Sequence, residues 1–280
     1  MEQAALVSLW FAMTLYMVAT VLYVYHFVAK RPVFAWYATF ATGSGFLAHT
    51  ASIGLHWGAT AEVPIVGAFN SLSLTAWALI LIYFIVEHLV RLKLYGTLLV
   101  PVAFVAMAAA QISLQATGAE LTPEALEQLD SWRVAMHVAM MMIANAGFAV
   151  AAAASAVYLL QGGQLKKHKS SGLMKRLPSL TQTQQLARRA IMLAYPVYTA
   201  GMLLGIIRAI EFQLDLWWVD PRVMLSGVVW AIFGLYLLLF YRGGGSGKLL
   251  ARIALLGLAA VIVLGVFART VPSGFHIFGL

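Results

Sequence analysis

Long apolar runs alternate with short polar connections along the whole chain. Each run is about 20 residues, the length that carries an α-helix across a bilayer. The pattern predicts eight helices, at Ala4–Val28, Val33–Trp57, Gly67–Leu89, Tyr95–Leu114, Trp132–Leu160, Ala190–Ile210, Val223–Tyr241 and Leu249–Ala268. The first run follows Glu2 rather than a basic region and shows no small-residue cleavage pattern, so it reads as a retained span and not a signal peptide. The expected fold is all-α and integral to a membrane, with eight transmembrane helices and residues 1–280 forming one polytopic domain.

Composition supports that class. Hydrophobic residues make up 62% and charged residues 10%, against roughly 45–50% apolar and about 25% charged in a soluble domain. The mean hydropathy is +0.87. A water-soluble enzyme, a disordered scaffold and a fibrous repeat are excluded, because none hides this much apolar surface without lipid. The absence of cysteine removes disulfides, thiol nucleophiles, iron–sulfur clusters and Cys-ligated zinc.

The net charge of +8 points to nucleic acid only until its distribution is considered. Fourteen of the 18 Lys and Arg lie in alternate connections: Lys30 and Arg31; Arg91 and Lys93; Lys166, Lys167, Lys169, Lys175, Arg176, Arg188 and Arg189; Arg242, Lys248 and Arg252. Basic connections mark the cytoplasmic side. Both termini, the acidic stretch Glu120–Asp130 and the segment 211–222 are then expected to face outward, with 161–189 as a basic cytoplasmic loop. The expected location is the inner (cytoplasmic) membrane of a bacterium, with lipid rather than nucleic acid as the surroundings. Gly243-Gly-Gly-Ser-Gly-Lys248 lacks the spacing of a phosphate-binding loop and reads as a turn.

Ionisable groups inside a bilayer are expensive and are functional candidates by default. Four histidines fall in the outward half: His49 and His56, seven residues apart on one helix face; His137, near the outer end of the fifth span; and His276, in the tail 269–280. Imidazoles from separate segments can ligate the two faces of a haem iron in an apolar cavity. Zinc fits less well, since nothing resembles H-E-x-x-H. Isolated hydrogen-bonded histidines remain the plain alternative. The outward segment Glu211-Phe-Gln-Leu-Asp-Leu-Trp217-Trp218-Val-Asp220-Pro221-Arg222 adds aromatic faces, an acid and a cation. Trp217 and Trp218 can be interfacial belt residues. They can also stack on a porphyrin while Arg222 pairs with a propionate.

The sequence at this point resembles the CcsA (ResC) type of cytochrome c assembly protein, with its WWD signature close to W-G-x-x-W-x-W-D-P-[KR]-E. Gly45-Phe-Leu-Ala-His49-Thr50 is similar to the family's G-F-x-x-H-T, and Asn70 through Trp77 to its N-x-x-E-S-L-x-F-x-A-W. Trp132 with His137-Val, the stretch Leu186–Pro196 and Ser273-Gly-Phe-His276 also have counterparts. The resemblance implies that His137 and His276 ligate a non-covalently held b-type haem, Trp217, Trp218 and Asp220 belong to its platform, and Arg222 or Arg208 meets propionates. It further implies a CcsB-type membrane partner and an apocytochrome c as acceptor. The signature is incomplete: Val219 and Gln213 replace two Trp, Val223 replaces a Glu, and Leu238 stands where the family has a span histidine. Those departures argue against full haem lyase activity. They leave open a non-catalytic haem-binding subunit of an electron-transfer complex, or a HemX-like tetrapyrrole regulator, in which His49 and His56 would also matter. A cofactor-free transporter would want paired broken helices; Pro101 and Pro196 supply no matched pair.

Overall fold

The computed structural model describes residues 1–29, 31–60, 67–90, 93–116, 131–166 and 179–270. The acidic stretch Glu120–Asp130, most of the basic loop and His276 lie outside them. The described residues form helices and one 3-10 turn, with no strand among them. They belong to two compact units, Met1–Gly118 and Ala119–Leu280.

In the first unit, helix α1 (Glu2–Ala29) buries Ala5, Leu9, Ala12, Tyr16, Ala19 and Tyr23. Helix α2 (Pro32–Thr60) buries a stripe of Ala35, Ala38, Thr42, Gly45, His49 and Ser52, with Ala41 buried beside it. In both sets the steps alternate between three and four residues, which keeps one stripe of each helix facing its neighbour. The α2 stripe is small or polar, whereas Trp36, Phe40 and Leu47 on the same helix are exposed. That arrangement inverts a soluble helix: with lipid as solvent, small residues let helices approach and large apolar ones face out. Gly45 shows the consequence, since a Cβ there would lie 2.9 Å from the Tyr16 ring.

Helices α3 (Gly67–Val90) and α4 (Leu94–Ala116) complete this unit. At one end Tyr23 hydrogen-bonds Thr39 at 2.9 Å and also meets the Tyr83 hydroxyl. Tyr83 donates to Glu87, Lys93 pairs with Glu87, and Lys93 donates to Thr39 at 2.8 Å. Glu87 therefore has a cation of its own.

The second unit contains α5 (Trp132–Lys166), α6 (Leu180–Glu211), the 3-10 turn Trp217–Val219, α7 (Pro221–Tyr241) and α8 (Gly247–Thr270). Its core is aromatic: Phe148 of α5 stacks on Phe233 of α7 with centroids 3.7 Å apart, and Tyr198 of α6 packs against Phe148. A Cβ at Gly257 of α8 would lie 2.5 Å from Phe233.

Helix boundaries differ most in the basic connection. Residues 161–166 and 180–189, expected in a loop, are helical, so α5 runs on to Lys166 and α6 starts at Leu180 rather than Ala190. The reason is local. Ser179 accepts from the backbone of Gln182 at 3.2 Å while the Gln182 side chain accepts from the Ser179 amide at 3.1 Å, a capping box placed ahead of the apolar run. Polar helix formers then carry the helix into the span, invisible to a hydropathy pattern.

Among the described residues seven helices, α1 and α3 to α8, are long and apolar enough to cross a membrane. Helix α2 is not among them, its stripe of Thr, Ser and His residues lowering its hydropathy. Large side chains such as Phe40 (77% exposed) and Leu193 (74%) cover the outside of these helices. The chain is a multi-pass membrane protein.

Candidate functional site

His137 lies on α5 where that helix meets α6 in the second unit. Its Nδ1 sits 2.7 Å from the backbone carbonyl oxygen of Gly201. A carbonyl can only accept, so Nδ1 carries a proton and donates. Space for the ring comes from a second glycine one turn further on: a Cβ at Gly205 would lie 2.8 Å from the imidazole Cε1. Gly201 has the same role for the backbone, since a Cβ there would press on Met140 and Met141 at 3.2 Å. The Gly-x-x-x-Gly spacing on α6 thus seats the histidine.

Four residues before His137, on the same face of α5, Arg133 donates to Glu211 at the end of α6, with Nη1 2.9 Å from Oε1 and 3.1 Å from Oε2. Arg208, one turn back on α6, donates to the same carboxylate at 3.3 Å. The Arg208 guanidinium lies 4.0 Å above the Phe212 ring, and that of Arg133 lies 5.4 Å from the Trp132 ring.

Helix α6 ends in a Schellman motif. Gln213 N–H donates to the Ile210 carbonyl at 3.0 Å and Leu214 N–H to that of Ala209 at 3.1 Å, with Gln213 left-handed at φ 51°. Leu216 is also left-handed, at φ 56°. A non-glycine residue in that region costs about 1–2 kcal/mol, so the chain is sharply folded twice on its way from α6 to the tryptophans. Trp217 and Trp218 meet edge to face at 5.8 Å, Trp217 half-buried and Trp218 56% exposed.

Asp220 and Pro221 build the start of a helix. Asp220 is the N-cap of α7: its Oδ1 accepts from the amides of Arg222 at 2.8 Å and Val223 at 3.4 Å, and Pro221 takes the first helical position. Arg222 is buried, 8% exposed, beneath this cap.

The remaining expected residues lie elsewhere or outside the described residues. His49, in the first unit, is fully buried, with Nε2 2.8 Å from Ser73 Oγ and Nδ1 3.4 Å from the Tyr16 hydroxyl. The next residue, Thr50, accepts from Trp77 Nε1 at 2.9 Å, and Phe46 stacks on Trp77 at 5.3 Å. The stretches Gly45–Thr50 and Asn70–Trp77 therefore bind each other. His56 is half-buried further along α2. His276 lies outside the described residues. In the second unit the structure forms three local groups: His137 against Gly201 and Gly205, Arg208 with Arg133 on Glu211, and Trp217–Trp218 followed by the Asp220–Arg222 helix start, with Arg133, Glu211, Gly201 and Gly205 as the additions. The sequence analysis did not single out these additions; the signals that could have found them are the Gly-x-x-x-Gly spacing and an arginine four residues before the histidine.

The second unit lies within the part of the chain that matches known proteins. The family model described as cytochrome C assembly protein matches residues 65–276. The cytochrome c biogenesis protein CcsA of Prochlorococcus marinus (strain MIT 9313) is 25% identical over 255 residues, covering 82% of this chain and 80% of that protein. Protein HemX of Brevibacillus brevis is 30% identical over 183 residues, 64% of each chain. The CcsA of Chlamydomonas reinhardtii is 27% identical over 228 residues, covering 80% of this chain and 63% of its own length. The family model covers well over half of the chain, including His137, Gly201, Gly205 and the Asp220-Pro221-Arg222 helix start, and this chain belongs to the cytochrome c assembly protein family.

Proposed function

We propose that this chain binds haem and presents it at the outer face of a bacterial cytoplasmic membrane for cytochrome c maturation. The observation that carries the reading is the bond from His137 Nδ1 to Gly201. An imidazole whose Nδ1–H is committed to a backbone carbonyl offers Nε2 to a metal, the arrangement by which second-shell carbonyls orient ligating histidines. The donor chemistry therefore fits a haem iron. His137 is one axial ligand and His276 the other, and the haem is b-type, held without a covalent bond.

Trp217 and Trp218 supply aromatic faces for the ring, and Arg208 and Arg222 supply cations for its propionates. Haem, when bound, contributes vinyl groups that take up the thiols of an apocytochrome c. The chain's own part is to hold, orient and expose the ring. Its relatives named for cytochrome c biogenesis support that acceptor, with a CcsB-type membrane protein as partner. The α2 helix is an eighth span, and both termini face outward, as the basic connections require.

The likeness to HemX, together with Val219 and Leu238 in place of signature residues, favours a second reading as a non-catalytic haem-binding subunit of an electron-transfer complex or a tetrapyrrole regulator. Expression of the chain with its partner in a strain lacking its own assembly protein separates the two. Covalent haem staining of cytochromes supports the first reading. A haem spectrum without that staining supports the second. The test common to both is the visible spectrum of purified protein. A six-coordinate b-type signature is expected, weakened in His137→Ala and in His276→Ala, and a spectrum unchanged in both variants would overturn the ligand assignment.

A further inference from the structure

The carboxylate of Glu211 has two guanidinium partners among the described residues, Arg133 and Arg208. None of the three is deeply buried: their side chains are 38%, 20% and 34% exposed for Arg133, Arg208 and Glu211. A buried ion pair cannot exchange partners without stranding a charge, whereas a half-exposed pair can. Each arginine is also held from a second side, Arg208 by Phe212 and Arg133 by Trp132, so neither depends on Glu211 alone for its position. Glu211 itself ends α6, with left-handed Gln213 two residues on, and its side chain can swing to solvent without disturbing the helix.

We propose that Glu211 is an internal carboxylate latch on a two-arginine carboxylate site, displaced when the carboxylates of an incoming haem arrive. The inference rests on the haem reading above and deepens it by naming the propionate subsite and its regulator. Arg133 stands one helical turn from His137 on the same face, a rise of about 6 Å. The charge balance agrees: with Glu211 swung out, two arginines meet two propionates. The latch makes the site favour ligands that bring carboxylates of their own, since only these compensate for the broken Glu211 pairs.

The test is a Soret titration of the purified full-length protein in detergent with haem and with haem dimethyl ester, which keeps the ring and iron but has no free carboxylate. Glu211→Gln is expected to bind haem about 2- to 5-fold tighter than the parent, the scale of a partly exposed charge pair, with no gain for the ester. Glu211→Asp, whose shorter side chain holds Arg133 less well, should fall between. Arg133→Gln and Arg208→Gln should lose affinity for haem and with it the preference for haem over the ester. Haem binding that is unchanged or weaker in Glu211→Gln, or an equal gain for the ester, overturns the latch and leaves the haem reading standing. No Soret change with either ligand in any of these proteins overturns both.

Discussion

A Cβ added at Gly205 would lie 2.8 Å from Cε1 and 2.9 Å from Nδ1 of His137, so the imidazole occupies the space that glycine leaves open. Contacts under 3 Å are not tolerated, and Gly205→Ala must push the ring out of its seat and lengthen its bond to Gly201. The haem spectrum of Gly205→Ala is therefore expected to lose its six-coordinate signature. Gly227→Ala on α7, where nothing lies within 4 Å, is the control. It should keep the spectrum and gain up to about 1 kcal/mol of helix stability. Equal spectra for the two variants would show that Gly205 has no part in seating the ligand.

His49 ties three helices through Tyr16 and Ser73, with both ring nitrogens engaged inside the protein. His49→Ala removes both bonds and leaves a void, a loss of about 2–3 kcal/mol. Ser73→Ala removes one bond and costs about 1 kcal/mol. Thermal unfolding in detergent checks the order, and the Soret maximum of bound haem should stay where it is in both. A shifted maximum in His49→Ala would make this histidine an iron ligand.

Asp220 caps α7, and Asp220→Ala should cost about 1 kcal/mol, within the range for lost N-caps, while Asp220→Ser keeps most of it. Hydrogen exchange at the amides of Arg222 and Val223, which donate to Asp220 Oδ1, is the direct measure. It should speed up in Asp220→Ala and recover in Asp220→Ser.

Trp218 is 56% exposed and contributes little to folding, so Trp218→Ala is expected to stay within about 0.5 kcal/mol of parental stability. If its ring stacks on a porphyrin, the same variant loses about 2- to 10-fold in haem affinity, the worth of one aromatic contact. Unchanged affinity would assign Trp218 to the interfacial belt instead.

The boundaries show how far the chain could be read in one dimension. Seven of the eight expected runs began within a few residues of the helices observed, because a helix satisfies its own backbone and its apolar length is written locally. Helix α6 was the exception. Ser179 and Gln182 started it in a polar stretch, and the capping box that could have announced it carries no hydropathy. The Asp-Pro pair before α7 was legible as residues, but its capping role was not. It reads equally as part of a ligand platform until the Asp220 carboxylate is seen accepting from Arg222 and Val223.

By itself the sequence determined the class of solvent, the helices and the histidines to consider, since each follows from the composition of one continuous segment. Only the tertiary structure decided that Glu211 pairs with Arg133, that His49 bonds Tyr16 and Ser73, and that His137 gives its Nδ1 proton to Gly201. The physical reason is common to all three. A polar side chain in an apolar medium must find a partner, and in a bundle that partner sits on another helix, at a sequence separation no local pattern encodes.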